Sequence, residues 1–110
     1  MVLEVREVSR KTPRDGRLEI SDESARRLRP LAATLTVVLD DQRGPATLES
    51  MACACEKGGT SGGHLHHFVA APLLMSLVAG ETVVVELLDA AVLAIARPHP
   101  LHPGHVTPQA

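Results

Sequence analysis

The sequence predicts a mainly β domain with two short helices, arranged as a partly open antiparallel β-barrel. Three observations lead there. Segments rich in β-branched residues recur along the chain, most clearly Thr34–Leu39 and Thr82–Leu88, and such residues favour pleated, half-buried surfaces. Strands outnumber helices and do not alternate with them, which argues against a parallel βαβ sheet. The core must also be aliphatic: among 110 residues there are one Phe, no Trp and no Tyr. That composition excludes an aromatic stacking platform for single-stranded nucleic acid.

Taken in order, Val2, Leu3, Val5 and Val8 among charges predict a strand over 2–8. Ser9–Gly16 is a polar loop with Pro13 and an Asp-Gly turn signal. Arg17–Ile20 is a short alternating strand. Ser21 or Asp22 then caps a helix over 22–29, with acids in its first turn, arginines in its last and Pro30 beyond. Thr34–Leu39 and Ala46–Cys55, joined through Asp40-Asp41-Gln42-Arg43-Gly44-Pro45, predict a hairpin. Lys57–Gly63 is a glycine-rich loop. Apolar residues at 65, 68 and 69 have the spacing of a helix face and predict a helix over 64–71. Ala79-Gly80-Glu81 is a turn into the strand Thr82–Leu88, and Val92–Ala96 an edge strand. Residues 1–96 thus form one domain, and the Pro- and His-rich stretch 97–110 a flexible tail.

The N-terminus lacks the pattern of a signal peptide, and the apolar stretch Phe68–Ala79 is too short to span a bilayer. A cytoplasmic location with no membrane partner is expected. Two cysteines give no disulfide framework. The net charge of −2 conceals an uneven distribution. Residues 5–30 carry eight Lys or Arg against five acids, whereas from Glu49 onward there are two basic residues against five acids.

Four segments in this order resemble the DNA-binding pseudobarrel family, which includes plant auxin-response-type DNA-binding domains and restriction-endonuclease effector domains. Arg17-Leu18-Glu19-Ile20-Ser21 with the helix through Arg29 is similar to the family's strand and first helix, and Thr34–Asp41 to the start of its central hairpin. Gly63-His64-Leu65-His66-His67-Phe68-Val69 is similar to its Gly-Trp-x-x-x-Phe helix entry, with His64 in place of Trp. Ala79–Leu87 is similar to its closing strand. The resemblance spans residues 2–88. It implies duplex DNA as the partner, gripped by two loop arms. The first arm falls at 9–17 with Arg10, Lys11, Arg14 and Arg17, and the second around 56–61 with Lys57. Cations there neutralise phosphates, and arginine also reads guanine edges.

A metal reading stands beside it. Cys53 and Cys55 share one face of a strand, and with His64 and His66 across the glycine loop they make four zinc ligands. Gly58 followed by His64-Leu65-His66 is also similar to the first metal motif of the cupin barrels, although alanines occupy the Glu region and His105 lies in the tail. The two readings oppose one another locally: the pseudobarrel needs 64–71 helical, the cupin needs it extended. A regulatory or protein-interaction module, or a homodimer through the apolar 83–88 strand, is compatible with the same fold. No complete catalytic motif is legible. Gly58–Gly63 lacks the Lys-Ser/Thr of a phosphate loop, and Ser61 with His64 has no orienting acid nearby.

Overall fold

The computed structural model describes residues 1–52, 65–89 and 91–98. Among these, eight strands and two short α-helices follow the order β1 (Val2–Glu7), α1 (Lys11–Asp15), β2 (Arg17–Ile20), α2 (Asp22–Leu28), β3 (Thr36–Leu39), β4 (Gln42–Pro45), β5 (Thr47–Ala52), β6 (Leu65–Ala70), β7 (Thr82–Leu87) and β8 (Val92–Ala96). The mainly β class with two helices is therefore as expected. The described strands form two sheets, β1-β7-β8-β3-β4 and β2-β6-β5, which do not close into a barrel. Every pairing is antiparallel except β3 with β8, which run parallel.

Alternation explains how one face of the larger sheet becomes core. Val37 and Leu39 of β3, Val83 and Val85 of β7, and Leu93 and Ile95 of β8 are all buried, as period-two patterning requires. Leu18, Ile20 and Val69 from the smaller sheet and Ala25 and Leu28 from α2 join the same cluster. Phe68, the one aromatic residue, is buried but lies outside that cluster.

Several local expectations hold. Ser21 caps α2, its hydroxyl accepting the Ser24 N–H at 3.1 Å, and the helix carries Asp22 and Glu23 in its first turn and Arg26 and Arg27 in its last. Asp40 and Asp41 both take positive φ (53° and 68°) in the two-residue turn between Leu39 and Gln42. Two-residue hairpins need that geometry to match strand twist, and Asp tolerates it.

Four expectations are corrected. The segment 64–71 is not a helix: Leu65–Ala70 is a strand, flanked on both edges by β2 and β5. His67, Phe68 and Val69 are buried in succession, so both faces of the strand are covered; such a strand shows no clean alternation, and its apolar residues mimic a helix face. The second strand of the hairpin is Gln42–Pro45, not Ala46–Cys55. Proline donates nothing to a ladder; pairing with β3 ends at Thr36–Pro45, and β5 departs to the other sheet. A one-turn helix, α1, replaces part of the loop at 9–16. Finally, β8 is not an edge strand but lies between β7 and β3. Arg97, assigned to the tail, is anchored by ion pairs to Glu81 and Asp40.

Glu4 welds β1 to α2. Its carboxylate accepts the Ser21 N–H at 3.0 Å and the Ser24 hydroxyl, and pairs with Arg6 at 3.0 Å. Burial alone raises its pKa, but the hydrogen bonds from Ser24, Ser21 and Arg6 outweigh it and hold the group below its ordinary 4.5. A depressed folded-state pKa stabilises above the unfolded value and loses that contribution as pH falls through the folded value. Glu4→Gln is expected to lose most stability near pH 7 and to approach wild type once the Glu4 carboxyl is protonated in both the folded and the unfolded states. Urea unfolding across the acid range measures this.

Candidate nucleic-acid interface

The first predicted arm is a pinned segment. The Thr12 hydroxyl, buried, donates to the Arg17 carbonyl at 2.8 Å. The Gly16 N–H closes the turn on the Thr12 carbonyl at 2.8 Å, and the Ala71 N–H donates to the Gly16 carbonyl at 2.9 Å. α1 is thereby held against the 3-10 turn Pro72–Ser76.

The four arm cations differ in how committed they are. Arg10 is exposed and has no acidic partner among the described residues. The Lys11 ammonium lies 5.3 Å from the centroid of the Phe68 ring, a cation–π distance. Arg14 pairs with the adjacent Asp15 at 3.0 Å, with its own side chain 66% exposed. The hydrogen bond from Arg14 is the main reason the Asp15 pKa falls below its usual value. Arg17 is engaged twice, by Glu49 of β5 at 2.7 Å and Asp15 at 3.9 Å. Hydrogen bonding to Glu49 is the main cause raising its pKa. Arg17 also lines an apolar cleft of about 380 Å³ with Ala70, Pro72 and Met75. Exposed pairs such as Arg14–Asp15 contribute little to stability, because solvent screens them, and exchange readily for a phosphate. Arg17 is the least available of the four.

Lys57, Cys53, Cys55 and His64 lie outside the described residues, as does the second arm. His66, the remaining zinc-ligand candidate, places Nδ1 2.7 Å from Glu19 Oε2. No metal-competent group of three His, Cys, Asp or Glu occurs among the described residues. The segment 65–70 is extended, the local requirement of the cupin alternative, but the rest of that ligand set is not among the described residues either.

A second basic group was not anticipated. Arg26 and Arg29, both exposed and without acidic partners among the described residues, line a shallow pocket of about 370 Å³ with Asp22, Leu65 and His67.

No family model, curated protein or solved structure matches this chain.

One arrangement escaped sequence reading. His67 of β6, 6% exposed, bridges two elements. Ser50 Oγ of β5 lies 2.7 Å from its Nδ1, and Asp22 Oδ1 of α2 lies 2.9 Å from its Nε2. Sheet register makes the first contact, since Ser50 and His67 are directly opposed across β5–β6. The N-terminus of α2 follows β2 on the other side, where Ile20 opposes His67. The only sequence signal is a strand reading of 65–70, which places His67 on the inward face.

Proposed function

We propose that this domain binds duplex DNA through the α1 segment, with Arg10, Lys11 and Arg14 on the phosphates. The observation that carries the proposal is a cluster of exposed cations on backbone fixed by Thr12 and Gly16, so little ordering entropy opposes contact. Asp15, Glu19 and Glu49 stand nearby and repel phosphate, which keeps affinity low. Arg17 serves the fold, joining β2 to β5, and is withdrawn from the contact set implied by the resemblance.

Three phosphate contacts give a slope of log affinity against log salt of about −3, near −0.9 per contact. A titration of the whole chain on duplex DNA from low salt upward tests it. Arg10→Ala with Lys11→Ala is expected to bring the slope to about −1. Arg17→Ala should leave the slope in place while lowering the melting temperature. No binding at low salt, or an unchanged slope in the double variant, rejects the reading.

A further inference from the structure

The Ser50–His67–Asp22 chain has the geometry of an activated hydroxyl. A nucleophile within about 2.6–3.2 Å of a base that is itself oriented by a third group is the general signature of covalent catalysis. With Asp22 ionised, its carboxylate accepts the Nε2 proton. Nδ1 is then the unprotonated nitrogen and accepts from Ser50, so the serine proton already points at its base. The roles of the two ring nitrogens are interchanged relative to the usual serine-hydrolase order, but either nitrogen is a competent base. Burial differs along the chain as a reactive hydroxyl needs: the imidazole side chain is 8% exposed, whereas Ser50 is open to solvent. β5 is also the outer strand of its three-stranded sheet among the described residues, so Ser50 can be approached from the side.

We propose that Ser50 is a nucleophile served by His67 as general base, with Asp22 as positioning residue, and that it accepts acyl groups from small, unhindered esters. Ser50 Oγ attacks the ester carbonyl and the new C–O bond forms as the hydroxyl proton passes to His67 Nδ1. The imidazolium is held by Asp22 and returns the proton to the departing alkoxide as the ester C–O bond breaks. Water then cleaves the acyl-serine by the same base. This inference is independent of DNA binding.

The test uses a fluorophosphonate, for which Ser50 Oγ displaces fluoride from phosphorus and the proton goes to His67. The expected adduct lies in the tryptic peptide Gly44–Lys57, whose one serine is Ser50. Ser50→Ala abolishes it. His67→Gln lowers the labelling rate at least about 100-fold, the low end of what a positioned general base contributes. Asp22→Asn lowers it about tenfold, less than loss of a buried orienting acid, because solvent screens Asp22, which is 76% exposed. The exposed Asp22 keeps the test decisive where His67→Gln does not fold: circular dichroism confirms the fold, and the labelling rate is read on that folded variant. Partial recovery of the rate in Asp22→Glu supports the positioning role. No adduct, an adduct confined to other residues, or wild-type rates in folded Asp22→Asn overturns the proposal.

Discussion

Replacing Gly16 with alanine is expected to destabilise the domain by about 3 kcal/mol. Gly16 has φ +73°, and a Cβ built there comes 2.7 Å from the Ala71 carbonyl oxygen and 3.3 Å from Met75 Cγ. The left-handed conformation costs an L-residue about 1–2 kcal/mol. The clash costs more, because the nearest atom is backbone and cannot swing away. Moving it pulls on the Ala71 N–H bond to the Gly16 carbonyl, the contact that seats α1. Gly80 separates the two contributions: its φ is +97° but nothing lies within 4 Å of its added Cβ. Gly80→Ala should therefore cost about 1 kcal/mol, the conformational part alone. Urea midpoints of the two variants give the comparison, and equal losses would show that the Ala71 contact is not what holds the segment.

The contrast between these glycines bears on what sequence can convey. An Asp-Gly pair signals a turn, and the turn is there, but the carbonyl it faces belongs to a residue 55 positions away. Local chemistry was legible wherever it is complete within one element. Ser21, Asp22 and Arg26 announce α2 by capping and dipole alone; Asp40 and Asp41 announce their turn; Thr82–Leu87 announces β7 by its run of β-branched residues. Reading failed where burial on both sides removes alternation, as in β6, and where a ladder stops for want of a donor, as at Pro45. The candidate sites failed for a related reason. Whether Arg17 is free depends on Glu49, which reaches it only because β2 and β5 flank the same strand. Ser50, His67 and Asp22 meet through two strand registers and a helix start, none of which is local.

The same non-local logic makes Glu81 a point of failure. Its carboxylate, 3% exposed, accepts the Val78 N–H at 2.6 Å and the Arg97 Nε–H at 2.9 Å. Arg97 in turn donates to the Asp40 carboxylate and to the Ser76 carbonyl at 3.2 Å. Burial by itself lowers the Arg97 pKa, but hydrogen bonds to Glu81 and Asp40 reverse the sign and raise it. The backbone of Glu81 is also committed, its carbonyl accepting the Val8 N–H at 2.8 Å. One side chain thus joins the end of β8 to the turn before β7, and through Arg97 to the β3–β4 turn. Glu81→Ala removes the acceptor of the Val78 N–H and leaves Arg97 two of its three partners, Asp40 and the Ser76 carbonyl. Breaking a buried pair typically costs 3–5 kcal/mol; Arg97 keeps Asp40, the Ser76 carbonyl and some solvent, which places the loss at the low end, about 3 kcal/mol. For a domain of this size that is a fall in Tm of roughly 10–20 °C. Asp40→Asn, which keeps a residue suited to the left-handed turn and removes the charge at an exposed partner (54%), should cost no more than about 1 kcal/mol. Thermal unfolding of both variants, of Arg97→Ala and of Arg97→Ala combined with each closes two double-mutant cycles. A Glu81–Arg97 coupling below that of Asp40–Arg97 would place the stabilisation in the Val78 N–H instead of the ion pair.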